Sequence, residues 1–270
     1  MGFRFCSLAS GSSGNCQYIA SDEFRILLDV GLAGKRIVQG LESIGENAEK
    51  INGILVTHEH SDHIKGIGIL SRRFNIPIYA NTKTWEAMRG KIGVVQEENI
   101  RYFETGKIFE IGDISVKAFP ISHDAAEPVA FSFQHDQGKI SVATDLGHVS
   151  HEIKEEIKDA DFLVLESNHD INMLKMGNYP WYLKKRIMGD YGHISNDTAG
   201  SVLADMMEDR GSVRHVLLAH LSKENNFPEL AFETVKGILS DRKIKVGTDI
   251  NIDLTYRDRV SKVYEVCKSI

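Results

Sequence analysis

The segment Thr57-His58-Glu59-His60-Ser61-Asp62-His63 follows the apolar run Gly53-Ile54-Leu55-Val56 and precedes apolar residues at helical spacing over 64–74. A short β-branched run of that kind reads as a buried strand, and the spacing after the segment reads as a helix. The segment between them is therefore a polar loop, and His58, His60, Asp62 and His63 are all potential metal ligands. Imidazole and carboxylate suit zinc, manganese or iron, with no thiolate to narrow the choice. His58 and His60 alternate and can point the same way, whereas Asp62 and His63 fall past the turn and can reach a neighbouring ion. A solvent loop that happens to be histidine-rich is the competing explanation. The density of ligands and their position between strand and helix weigh against it.

Outward from this loop, periodicity predicts strands at 3–5, 17–20, 25–29, 53–57, 76–80, 114–118, 130–135, 139–143, 162–166, 213–219 and 251–254. Helices are expected at 35–44, 64–74, 84–88, 152–158, 172–187, 196–207 and 227–239, with Ser195 or Asn196 capping the sixth. Strands come in two batches, each followed by helices, which suits two packed sheets with helices outside; other mixed α/β layouts share the pattern. No repeat, low-complexity tract or linker divides the chain, so residues 1–270 are expected to form one domain.

A formal charge of −6, from 32 basic and 38 acidic residues, does not advertise nucleic-acid binding, which would have to depend on a local basic patch. Cys6, Cys16 and Cys267 show no CxxC spacing and no disulfide framework, and read as reduced buried thiols. No apolar run approaches a membrane span and no signal core follows Met1, so no membrane association and a cytoplasmic location are expected.

His58-x-His60-x-Asp62-His63 resembles the signature of the metallo-β-lactamase superfamily, and further landmarks follow in order. Asp29 ends the run Ile26-Leu27-Leu28, His123 follows Phe119-Pro120-Ile121-Ser122, Asp145 follows Val142-Ala143-Thr144, and His220 follows Val216-Leu217-Leu218-Ala219. The resemblance implies an α/β fold, the metallo-β-lactamase αββα sandwich, in which two mixed sheets pack face to face with helices outside. It implies two divalent metal ions (manganese or zinc, with iron a further option). One would be held by His58, His60 and His123 and the other by Asp62, His63 and His220, with Asp145 bridging and Asp29 supporting the ligands. Two ions about 3.5–4 Å apart lower the pKa of a bridging water and clamp the attacked group, so hydrolysis without a serine or cysteine nucleophile is the implied reaction. Asp62 is accordingly a catalytic candidate as well as a ligand.

The ligand motif cannot choose a substrate. His193, in Gly192-His193-Ile194-Ser195-Asn196, resembles the extra histidine of phosphodiesterase branches, where it can act as general acid; packing against the helix start is the alternative. Ser12 and Ser13, in the small-residue loop 10–15, could contact phosphate, although a plain tight turn explains the loop nearly as well. Over 175–186, Tyr179, Trp181 and Tyr182 interleave with Lys175, Lys184, Lys185 and Arg186, which suits either a DNA strand or an amphipathic helix with a basic face.

Ser10-Gly11-Ser12-Ser13-Gly14-Asn15-Cys16, Glu166-Ser167-Asn168-His169-Asp170, the His193 segment and His220-Leu221-Ser222-Lys223-Glu224-Asn225-Asn226 occur together. That combination resembles one branch, the YycJ/WalJ/VicX-type DNA exonucleases. The branch implies 5′→3′ exonuclease activity on DNA, manganese dependence and a DNA-repair role, with Asn168 and His169 bordering the site. No room exists between Asp145 and His220 for the helical insertion of the RNA-processing relatives. Hydrolysis of a small or cyclic phosphodiester is the neighbouring expectation, thioester or lactone hydrolysis a more distant one, and a metal-bound regulatory protein the non-enzymatic one.

Overall fold

In the computed structural model, which describes residues 2–209 and 211–268, side-chain alternation along the strands divides the core into three apolar layers. Along β11 (Phe162–Glu166), Phe162 and Val164 face one layer while Leu163 and Leu165 face another. Along β3 (Arg25–Leu28), Ile26 and Leu28 enter the layer shared with Phe162, and Leu27 enters a third. Strands buried on both faces need cover on both faces, and helices supply it.

The first sheet runs β14 (Tyr264–Val266), β1 (Phe3–Ala9), β2 (Cys16–Ala20), β3, β4 (Gly53–Leu55), β5 (Ile78–Ala80) and β6 (Ile100–Tyr102). The second runs β13 (Asn251–Leu254), β12 (His215–Ala219), β11, β10 (Gly138–Ala143), β9 (Val129–His135), β8 (Ile114–Pro120) and β7 (Ile108–Ile111). Both are mixed: β3 through β6 are parallel, as are β10 through β13, and the remaining pairs are antiparallel. The inner layer holds Phe3, Phe5, Phe131 and Phe133 between the sheets. Over the first sheet lie α1 (Gly34–Ser43), α2 (Ser61–Ile64), α3 (Ile67–Phe74) and α4 (Thr82–Met88). On the second sheet's side follow α5 (His151–Ile157), α6 (Ile171–Met176), α7 (Trp181–Ile187), α8 (Asn196–Glu208) and α9 (Pro228–Asp241). This is the expected αββα sandwich.

Departures from the expected elements have local causes. The helix expected over 172–187 is two helices, because Pro180 lacks an N–H and restricts Tyr179 before it, and Gly177 caps α6. The helix expected over 64–74 breaks at Gly66, where a Cβ would sit 2.3 Å from the Leu32 carbonyl oxygen. β6, β7 and β14 were not expected; all three are sheet edges of four residues or fewer, and β6 and β7 are mostly solvent-facing, so they carry little alternation. Cys6 and Cys16 are buried free thiols as expected, but Cys267 is exposed. Among the described residues no helix is long and apolar enough to cross a membrane.

The histidine loop is clamped to the loop 10–15. Asn15 N donates to Asp62 O at 2.8 Å and Gly31 N donates to Asn15 O at 2.8 Å. A Cβ on Gly31 would lie 1.6 Å from Asp62 O, so backbone would have to move. Gly31→Ala is expected to lose about 3 kcal/mol of stability in urea unfolding. Gly237→Ala, in the exposed interior of α9 with open space around its Cβ, should instead gain about 0.5–1 kcal/mol.

Candidate metal centre

Strands β3, β4, β8, β10, β11 and β12 end on one rim, and the ligand candidates follow those ends: Asp29, the 57–63 loop, His123, Asp145 and His220, with Glu166 closing β11. Asp29, Asp145 and His220 adopt φ of 59°, 61° and 57°. Side chains rarely tolerate that left-handed backbone, so its use at three such positions marks a place where the surroundings enforce it. Each turn swings the side chain from strand direction into the seam between the sheets.

There the donors gather. His58, His60 and His123 offer ligand atoms within 4.8 Å of one another, as do Asp62, His63 and His220, and also His58, His63 and Asp145. Asp145 lies between the groups: Oδ2 is 3.5 Å from His63 Nε2, and Oδ1 is 3.9 Å from His123 Nε2 and 3.5 Å from His220 Nδ1.

Hydrogen bonds assign the ring nitrogens. His63 Nδ1 donates to Asp29 Oδ2 at 2.7 Å, a carboxylate that also accepts from Thr57 N and Thr57 Oγ1, each at 2.9 Å. The Thr57 hydroxyl, its proton spent on Asp29, accepts from His58 Nδ1 at 2.9 Å. His123 Nδ1 donates to the Gly192 carbonyl at 3.2 Å, and His220 Nδ1 to Glu166 Oε1 at 2.8 Å. Each ring thus gives one N–H to a fixed acceptor and turns its other nitrogen toward the seam, the arrangement that orients histidine for a metal.

The electrostatics agree. Burial opposes charge on His63 and His220, yet Asp29 and Asp145 lift His63 to about 10, and Asp145 and Glu166 lift His220 to about 9. Burial pushes His58 well below the usual imidazole range. Groups held this way take a proton or a metal ion, and binding the ion releases the proton. His220 Nε2 and Asp145 Oδ2 are buried with no hydrogen-bond partner, which is costly unless something else satisfies them. The donor set therefore fits divalent ions held by nitrogen and oxygen.

In the sequence Glu166 stands as the end of an apolar strand and the start of the segment Glu166-Ser167-Asn168-His169-Asp170, with no role of its own. It is fully buried, and Oε1 accepts from His220 Nδ1 and from His193 Nδ1 at 2.9 Å. Its oxygens also take the backbone N–H of Asp145, Leu146 and Ile194 at 3.3, 2.9 and 3.1 Å. Burial would raise its pKa, but His193 and His220 hold it down at about 2. A carboxylate closing a continuous apolar run was the available signal, since burying one requires partners.

Beside the seam opens a cavity of about 200 Å³ lined by Ser12, Asn168, Tyr179, Arg186, His193 and Ser222, among others. Asn168 also donates to the His220 carbonyl at 2.9 Å. Arg186 reaches the cavity with its Nε on Asp124 at 2.6 Å. Lys184 corrects the expected DNA contact: it is 8% exposed, and its ammonium donates to the carbonyls of Lys175 (2.8 Å) and Gly177 (2.6 Å) at the end of α6. Lys185 stands 5.7 Å over the Trp181 ring, and neither it nor Ser13 lines the cavity. His169 is buried behind the rim with Nδ1 unpartnered.

A seam of imidazoles and carboxylates on the rim of an αββα sandwich defines a metal-dependent hydrolase. The model of the beta-lactamase superfamily domain matches residues 24–221. Exodeoxyribonuclease YycJ of Bacillus anthracis is 44% identical over 266 residues, covering 98% of this chain and all of that protein. Exodeoxyribonuclease WalJ of Streptococcus pneumoniae is 39% identical over 268 residues, covering 98% and 99%. Among solved structures, the metallo-beta-lactamase fold protein YhfI from Bacillus subtilis superposes with a TM-score of 0.73 at 15% identity, over 98% of this chain and all of that one. The chain belongs to the beta-lactamase superfamily and, within it, to the family of the YycJ/WalJ-type exodeoxyribonucleases.

Glu166→Gln keeps the shape but turns one acceptor oxygen into a donor. Metal affinity, read by competition with a chromogenic chelator, is expected to fall about 10–100-fold.

Proposed function

We propose that this chain is a metal-dependent exodeoxyribonuclease that shortens DNA from the 5′ end with two divalent ions, manganese or zinc, in its seam. The observation that carries the reading is the 44% identity, over essentially the whole of both chains, to a protein named as an exodeoxyribonuclease. The clustering supports one ion on His58, His60 and His123 and another on Asp62, His63 and His220, with Asp145 between them. Bound there, two ions supply a water of lowered pKa and neutralise the phosphoryl oxygens.

The remaining work falls to side chains of this chain. Asp62 is more open than Asp29, Asp145 or Glu166, its side chain 24% exposed, and orients the attacking water. Asp29 and Glu166 keep the ligand rings from rotating. The Ser12 hydroxyl and the Asn168 amide, both on the cavity wall, hold the phosphodiester in line. His193, 21% exposed, is tied through Nδ1 to Glu166, which leaves Nε2 to pass a proton to the departing 3′-oxygen. Tyr179 offers a face on which the terminal base can stack.

Hydrolysis of a small or cyclic phosphodiester is a second reading, favoured by the modest cavity of about 200 Å³ and the formal charge of −6. Digestion of 5′-labelled and 3′-labelled duplexes with added manganese separates the two. Wild type should release label progressively from the 5′ end and His60→Ala should not; intact DNA with a fully metallated enzyme would reject the nuclease reading. His193→Ala should lower kcat about 10²–10⁴-fold while metal content, measured by elemental analysis, is unchanged.

A further inference from the structure

A second cavity of about 200 Å³ adjoins the first on the far side of Ser222, which lines both. Its walls include Ser10, Phe227, Thr255, Tyr256 and Arg257, with the exposed Asp258 at its edge. The Arg257 side chain lies along Gly11, where a Cβ would approach its Nε to 3.5 Å. Arg257 Nη2 makes a long contact of 3.4 Å to the Leu221 carbonyl, and Nε is buried with no partner. A guanidinium in a cavity wall with one long contact among its five donors has donors to spare for an acceptor that enters the cavity.

The surroundings state the sign and shape of that acceptor. Arg36 donates through Nη2 to the Arg257 carbonyl at 3.1 Å, and the Arg259 guanidinium lies 3.5 Å above the Tyr256 ring. Among the described residues no carboxylate pairs with Arg36, Arg257 or Arg259, whereas Arg186 at the first cavity is paired with Asp124. In a chain of net charge −6, Arg257 and the adjoining Arg36 and Arg259 outnumber Asp258, the one carboxylate among the cavity residues, and give the local positive charge that polyanion binding requires. Phe227, on the wall of the same cavity, is 46% exposed. An arginine fork suits a phosphate, and a bare aromatic ring suits a base.

Resting on the exonuclease reading, we propose that this cavity is a second nucleotide subsite, in which Arg257 holds a backbone phosphate and Phe227 stacks a base of the strand being digested. The shared Ser222 makes the two cavities one track, so the strand spans both while its terminal nucleotide occupies the first. Arg257 thereby selects polymer over mononucleotide-sized substrate, a task the net charge of the chain does not perform.

The test compares wild type, Arg257→Gln and Arg257→Lys as full-length protein with manganese, measuring kcat/KM on single strands of increasing length at several salt concentrations. Arg257→Gln should lose about tenfold on a long strand at low salt, with the loss shrinking as the strand shortens toward a dinucleotide. Its salt slope on the long strand should fall by about one, and Arg257→Lys should restore the slope. An equal loss at every length, or a salt slope that Arg257→Gln leaves unchanged, would overturn the subsite. A wild-type protein that digests no DNA of any length would instead remove the exonuclease reading, and this subsite with it.

Discussion

Two buried carboxylates, one at the end of a strand in each sheet, organise the site. Asp29 follows β3 and grips the histidine loop through Thr57 N, Thr57 Oγ1 and His63 Nδ1. Glu166 ends β11 and grips the opposite side through His193, His220 and the backbone of residues 145, 146 and 194. Neither could be buried alone at tolerable cost, and neither is, because every oxygen has partners. His63, His58 and His220 present a nitrogen to the seam because their other nitrogens are committed to these two anchors, directly or through Thr57, while His123 is held by the Gly192 carbonyl. Ligand geometry is therefore a property of how the sheets meet.

That dependence explains the strained backbone. A strand delivers side chains above and below its sheet, not off its end, so a ligand beyond a strand terminus must turn sharply. Asp29, Asp145 and His220 make that turn in left-handed conformation, at a cost on the order of 1–3 kcal/mol each. The three apolar layers supply the stability that tolerates it. Glycine at position 31 serves the same end differently, letting the loop carrying Asp62 lie against the first sheet with no side chain intervening.

Much of this was legible in the sequence. His58, His60, Asp62 and His63 sit in one short loop, so their spacing marked them, whereas Asp145 and His220, each one residue among many that follow an apolar strand, were marked only by the resemblance to the metallo-β-lactamase superfamily. Glu166 escaped because its strand reads as fully apolar and a carboxylate at the end looks like a terminator; its role exists only once His193 and His220, distant in sequence, come alongside. Lys184 misled for the converse reason. Its neighbours advertise a basic face, but Pro180 and Gly177 split the helix and leave carbonyls that need a donor. The edge strands β6 and β7 are mostly solvent-facing and carry little alternation, whereas β14 alternates, with Tyr264 and Val266 buried, but is only three residues long.

The charge distribution follows the same logic of placement over totals. A polyanion approaching a protein of net charge −6 meets repulsion except where positive charge is left uncancelled. Along α7, Lys184 is buried on carbonyls and Arg186 is cancelled by Asp124, which leaves Lys185 over Trp181. Around Arg257, Arg36 and Arg259, no ion pair among the described residues brings a carboxylate to the guanidinium. Salt at physiological strength screens charges separated by more than about 8–10 Å, so a patch beside the seam guides a strand while distant acidic surface is largely silent. An acidic protein can thus bind DNA, provided that metal charge in the seam and the arginines at its rim lie within one screening length of the bond to be cut.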